Sequence, residues 1–482
     1  MLEKLEPKNV FENFLEISKI PRGSGNERAV SDFIADFAQK NGAKAVQDKW
    51  NNLLIKKPGA AGFEKKPPVI LQAHLDMVCE KNAATKHDFT QDPIDVYEDG
   101  GFLKARGTTL GADNGIGVAM CMALLSGDFS HPPLEIILTT DEEAGMSGAE
   151  NFDITQLDGR RMINLDSNDD TTFTMGCAAG SVVEFDIPVT HTEISDCTRC
   201  EISVGGLTGG HSGVDIHLGR GNALRILGFV LDAALSAGDV SLGEISGGMK
   251  VNAIPREASA VILFPHAEKE KISAVLDEIS ANIKKQFSSS DPGLEISRNF
   301  SASSGKNLGF SNSRAIVNAL IVFPCGVLAE SREISDFVTA SSNIGRVEVI
   351  GETVKISAMA RAADLFLTGQ IEAQIIALAA LCGAKYEFLQ RTPAWPYNPE
   401  SGLLKIARET YKSVFGSDAE IIAIHAGLEC GLFSQKFAEK NELIDILSFG
   451  PNAYDYHTPG ERVEIASVAR VWKLLLEILK NM

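Results

Sequence analysis

A run suited to burial, Leu134-Glu135-Ile136-Ile137-Leu138, ends in Thr139-Thr140-Asp141-Glu142-Glu143-Ala144-Gly145 and so sets two glutamates side by side at the end of a strand. Ionised carboxylates held together at the rim of a core repel and raise each other's pKa. The pair therefore demands nearby cations or a division of protonation roles. The reading that satisfies both has one glutamate binding metal and the other acting as general base on a metal-bound water. A fold that hosts this pair must gather further ligands at the same rim.

Such ligands recur at other strand ends. Val69-Ile70-Leu71-Gln72-Ala73 reads as a short buried strand of the parallel type that delivers His74-Leu75-Asp76 at its C-terminal end, where open α/β sheets place their sites. His74 is then a metal ligand with Asp76 orienting its ring, or else a satisfied core histidine. Glycine-dense Gly107-Thr108-Thr109-Leu110-Gly111-Ala112-Asp113-Asn114-Gly115-Ile116-Gly117 precedes a helical run, and Asp113 either caps that helix or binds metal. Arg161-Met162-Ile163-Asn164-Leu165 is another buried strand, ending on Asp166, and Tyr456-His457-Thr458-Pro459-Gly460-Glu461 supplies a second candidate histidine. Two histidines and at least three carboxylates, mostly at strand ends, are hard to account for as packing, because buried charges of one sign need compensation. Mixed imidazole and carboxylate ligands suit zinc, with manganese or cobalt as substitutes. Two ions about 3.5–4 Å apart allow one carboxylate and one water to be shared between them.

The rest of the chain indicates what surrounds this rim. At 482 residues two domains are expected, and 45 basic against 64 acidic residues, a net charge of -19, argue against nucleic acid and anionic membrane surfaces as partners. Met1-Leu2-Glu3-Lys4-Leu5-Glu6-Pro7 lacks the features of a signal peptide and no apolar run approaches the roughly 18 residues of a membrane span, so a cytoplasmic location is expected. The eight cysteines are scattered, which favours reduced buried thiols, and the close pair Cys197 and Cys200 lacks a second pair at zinc-ribbon spacing. Apolar spacing predicts two helices between Pro7 and Gly42, with Ser24 or Asn26 as a cap for the second, and a hairpin-like pair over 45–55. From about residue 181 to 394 the texture turns α+β, with half-exposed strands and helices over 222–235 and 268–287, and a weaker second set that suggests two related units in tandem. An α/β catalytic domain of 1–180 and 395–482, carrying this insertion, is the expected organisation.

His74-Leu75-Asp76, Gly111-Ala112-Asp113-Asn114-Gly115, Asp141-Glu142-Glu143-Ala144-Gly145, Asn164-Leu165-Asp166 and His457 occur in the order of the M20 metallopeptidases, which this chain resembles over nearly its whole length. Within them, Gly209-Gly210-His211-Ser212-Gly213-Val214-Asp215-Ile216-His217, Val251-Asn252-Ala253-Ile254-Pro255-Arg256-Glu257 and His425-Ala426-Gly427-Leu428-Glu429-Cys430-Gly431 resemble the bacterial aminoacyl-histidine, or cytosol nonspecific, dipeptidases. The resemblance implies a zinc-peptidase-like domain with a mixed sheet and helices on both faces, plus a lid formed by the insertion. Two divalent ions are implied, with Asp113 bridging them, His74 and Asp166 on one, Glu143 and His457 on the other, and Glu142 as base. His211 would polarise the scissile carbonyl and Arg361 would bind the substrate's C-terminal carboxylate, although relatives more often have Arg-Ser than this Arg361-Ala362. Asn252 and Asn343 are candidates for substrate polar groups or simply complete turns; His425 and Glu429 are site or packing residues. Hydrolysis of dipeptides, including Xaa-His, by a monomer or homodimer is the implied activity. A tripeptidase or an N-acyl amino acid deacylase on the same core is the nearest alternative, and a metal-free peptide-binding relative a more distant one.

Overall fold

The computed structural model describes residues 5–332 and 337–482. The chain forms two compact units, one of Met1–Gly176, Tyr397–Ala423 and Leu428–Met482, the other of Cys177–Pro396 with Ile424–Gly427. The last four residues lie in a stretch that sequence texture alone assigns to the catalytic domain.

The first unit is built on an eight-stranded mixed sheet in the order Lys44–Gln47, Leu53–Lys57, Leu134–Thr139, Val69–His74, Arg161–Asn164, Asp445–Ser448, Thr172–Cys177, Glu420–Ile424. Its four central strands, from Leu134–Thr139 to Asp445–Ser448, run parallel. Val69–His74 and Leu134–Thr139 are buried along their whole length, as their unbroken apolar character requires. Register places His74 beside Thr139 and Gln72 beside Asn164, so the expected ligands leave the sheet at the same edge. Phe14, Ile34, Ile116, Ile136 and Leu475 share one core, which joins the helices Lys8–Ile17, Arg28–Lys40, Ala112–Ser126 and Ile465–Asn481 to the sheet. The hairpin expected over 45–55 is present as the antiparallel pair Lys44–Gln47 and Leu53–Lys57. A small four-stranded sheet, Ala453–Tyr454, Arg462–Glu464, Phe102–Ala105 and Val96–Asp99, holds the loop that carries His457.

The second unit is α+β. Its nine-stranded antiparallel sheet has two halves joined through a single residue pair, Gly247 with Val347. One half runs strand Thr192–Gly205, helix Ala223–Ala237, strands Ser241–Gly247 and Ala258–Pro265, helix Lys269–Gln286, strand Glu295–Asn307. The other repeats that order as Ala179–Pro188, Gly309–Val322, Val338–Ile350, Thr353–Ala362, Leu365–Cys382 and Lys385–Thr392, with a ninth strand, Gly326–Glu330, added against Val338–Ile350. The first half is inserted after the opening strand of the second, so the two are nested rather than in tandem. Local texture misses this because the opening strand lies far in sequence from its neighbours.

Helix Leu365–Cys382 also departs from expectation. With 18 residues, it is by length and composition apolar enough to cross a membrane, where the sequence reading expects no such run. In this unit one of its faces, Thr368, Ile371, Ile375 and Leu378, is buried, while Leu365, Phe366 and Leu381 are exposed. None of the eight cysteines is joined in a disulfide.

Candidate metal centre

The sheet edge of the first unit brings the five expected ligands together. His74 Nε2 lies 3.1 Å from Asp113 Oδ1 and 3.5 Å from Asp166 Oδ1. His457 Nε2 lies 3.0 Å from Glu143 Oε2 and 3.7 Å from Asp113 Oδ2. Asp113 thus faces one imidazole with each oxygen. The ligand atoms of His74, Asp113 and Asp166, and those of Asp113, Glu143 and His457, form two groups within 4.8 Å, a donor set of imidazole and carboxylate that fits divalent cations. Glu143 Oε1 is buried and makes no hydrogen bond, a further sign that the centre is completed by a cation.

The electrostatics agree. Burial pushes Glu142 well above the ordinary glutamate range, against the pull of His74 and with the added push of Asp166, Glu429 and Glu143. Burial likewise pushes Asp166 up to about 6. Burial would lower His457, but its contacts with Asp113 and Glu143 hold it up to about 10. Too much negative charge for the available protein cations is gathered here, and metal ions would relieve it.

His74 Nδ1 lies 3.2 Å from the backbone carbonyl of Asp76 and 3.4 Å from its Oδ1. The two oxygens of the Asp76 carboxylate accept the backbone N–H groups of Glu142 at 3.0 Å and Glu143 at 3.1 Å, so one residue meets both the ring and the glutamate loop. Ser24 donates to Asp76 at 2.7 Å and makes no cap for helix Arg28–Lys40, whose N-cap position is Glu27. Glu27 accepts from the N–H of Asp141 at 3.0 Å. The segment from Arg22 to Glu27 therefore buttresses the site, a role sequence reading missed by treating it as a break between helices. Its signal was an arginine and a glutamate among glycines.

Glu429 is fully buried, and its Oε2 accepts from Thr139 Oγ1 at 2.7 Å and from Gln72 Nε2. Burial pushes it up to about 8. Its Oε2 ties together the strands that carry His74 and the Glu142 loop, while its Oε1 makes no hydrogen bond.

The second unit gathers the remaining candidates. Arg361 pairs across strands with Ser341, whose hydroxyl is 2.7 Å from His425 Nε2. Arg361 is only 5% exposed, its Nε makes no hydrogen bond, and burial lowers it to about 10. Burial, reinforced by Arg361, pushes His425 down to about 3, so this imidazole is neutral. Nδ1 of His211 accepts the backbone N–H groups of Gly213 at 3.2 Å and Val214 at 3.0 Å, which leaves its proton on Nε2 as a donor. Asn343 donates to the carbonyls of Val251 and Ala253 and accepts from Asn222, so its amide fixes the turn that bears Asn252, the second of its two expected roles. Asn252 itself is exposed. A Cβ on Gly213 would come within 2.2 Å of the His425 carbonyl and 2.9 Å of Arg361 Nε. Gly213→Ala is expected to displace this loop at a cost of about 1–3 kcal/mol, seen as a lowered Tm together with a raised KM.

Both fold and site point to a metallopeptidase, and the sequence profile of peptidase family M20/M25/M40 matches residues 70–481. The chain belongs to this family and is an enzyme that hydrolyses peptide bonds. It is 36% identical over 484 residues to the cytosol non-specific dipeptidase of Escherichia coli K12, covering 100% of this chain and 99% of that protein. The aminoacylhistidine dipeptidase structure from Vibrio alginolyticus superposes with a TM-score of 0.90 at 35% identity, over 100% of this chain and 98% of that one. An aminopeptidase from Bacillus cereus, at 13% identity and a TM-score of 0.57 over 99% of each chain, shares the fold.

Proposed function

We propose that this enzyme is a dipeptidase dependent on two divalent ions, zinc foremost with cobalt or manganese as substitutes, held by His74, Asp113, Glu143, Asp166 and His457. The observation that carries the reading is Asp113, one oxygen turned to His74 and the other to His457. When bound, the ions supply an activated water and polarise the scissile carbonyl. Glu142 takes the proton from the attacking water and returns it to the leaving amine, a role suited to a carboxyl whose pKa burial raises well above the ordinary glutamate range. Asp76 holds His74 and the Glu142–Glu143 backbone in place throughout. His211 donates from Nε2 to the carbonyl oxygen as negative charge develops there. Arg361, a buried cation that no carboxylate neutralises among the described residues, receives the substrate's C-terminal carboxylate. Recognition of the substrate's C-terminus by a single buried cation favours short peptides, Xaa-His among them.

The reading is tested with a panel of dipeptides, tripeptides and N-acetyl amino acids, using metal-reconstituted protein and a chelated control. Dipeptides are expected to be cleaved, with activity lost on chelation and restored by zinc, cobalt or manganese. Turnover confined to tripeptides or acyl amino acids would replace the substrate assignment while keeping the centre. Chelator-insensitive cleavage would remove the metal mechanism.

A further inference from the structure

A helix start leaves backbone amides without intrahelical partners, and a side chain near the start normally satisfies them. Helix Ala112–Ser126 begins after Gly111, at φ +69°, which has no side chain to give. Asp113 stands in the first turn, yet its oxygens face His74 and His457. The cap comes from far along the chain. Glu461, only 2% exposed, accepts with Oε2 from the N–H groups of Leu110 at 2.7 Å and Gly111 at 2.9 Å, and with Oε1 from Ala112 at 2.8 Å and Asp113 at 3.3 Å. Four amides on one carboxylate leave Asp113 free of capping duty and hold its backbone from the loop that also carries His457.

The carbonyl side of the same loop is held by Arg22. Its guanidinium, fully buried, donates through Nη2 to the carbonyl of Gly111 and through Nη1 to those of Leu75 at 2.9 Å and Asp76 at 3.1 Å. A Cβ at Gly111 would lie 2.5 Å from Nη2, so the loop closes directly on this group. Arg22 therefore joins the Asp113 loop to the residues that follow His74, and Glu461 joins it to the His457 loop.

We propose that Glu461 and Arg22 are positioning residues that aim the Asp113 carboxylate, so that the metal affinity of the centre depends on both although neither is a ligand. The inference rests on the metal-centre reading above. Glu461→Gln keeps the shape but turns an N–H₂ group toward amides, and Arg22→Lys keeps the charge but cannot span three carbonyls. Each is expected to weaken metal binding by roughly 10–100-fold, the usual effect of losing a group that orients a ligand.

The readout is calorimetric titration of zinc or manganese into chelator-stripped protein, with the Tm of each metal-free protein measured in parallel. Glu135→Gln is the control: this carboxylate is equally buried and accepts from the amides of Asp158 and Gly159, at the start of the strand Leu134–Thr139. It should lower the Tm and leave metal affinity unchanged. Affinity within twofold of wild type in either Glu461→Gln or Arg22→Lys would overturn the proposal. So would equal weakening by Glu135→Gln, which would mark a general loosening. If wild-type protein bound no metal, the metal-centre reading would fall and this inference with it.

Discussion

Glu142→Gln is expected to lower kcat by roughly 10²–10⁴-fold, the span over which a positioned acid–base group acts, with both metal positions still filling. The amide keeps the size of the carboxylate but cannot accept a proton. Backbone geometry should survive, because the contacts that place this loop run from the Glu142 and Glu143 N–H groups to Asp76 and from the Asp141 N–H to Glu27, none through the Glu142 side chain. The measurement is steady-state kinetics on a dipeptide alongside metal analysis of the same preparation. A variant that stayed within tenfold of wild type would show that another group takes the proton. Loss of metal together with activity would instead make Glu142 a ligand, a geometry its proximity to His74 and Glu143 permits.

Arg361→Met is expected to have the second large effect, on recognition rather than chemistry. Truncating one partner of a buried charge pair costs about 2–5 kcal/mol, or roughly 30- to 5,000-fold in kcat/KM. The free enzyme should tolerate the change well, since Met fills similar space and removes a buried guanidinium whose only hydrogen bond among the described residues is to Met359 Sδ at 3.3 Å. The decisive comparison uses a dipeptide and its C-terminal amide. Wild type should discriminate strongly between them, and Arg361→Met should lose that discrimination while keeping its Tm. An unchanged ratio would exclude Arg361 from carboxylate binding and leave the cation without a role.

The convergence of the proposed ligands was legible because those residues are tied to local pattern. Short apolar runs predict buried parallel strands, their C-terminal ends point one way, and the acids and histidines stand within a few residues of those ends. Asp113 was ambiguous for a reason also local: an acid at a helix start has two uses, and nothing nearby says which. In the structure Glu461, some 350 residues away, takes the capping role, which leaves the Asp113 carboxylate open to the proposed metal role. Arg22, Ser24 and Glu27 escaped notice for the same cause, since each acts on backbone far along the chain.

The second unit repeats the lesson. Its α+β character shows in alternating strands and amphipathic helices, whereas the nesting of its halves depends on which strands pair, and pairing carries no local mark. Glu429 follows a motif that suggests a site, and its contacts with two strands, Gln72 and Thr139, carry no local mark either. Residue types, strand ends and the class of chemistry thus follow from the order of the chain, because hydrophobic periodicity and ligand preference are properties of short segments. Which acid binds, which caps and which braces is decided only in three dimensions, where distant backbone amides and carbonyls compete for the same side chains.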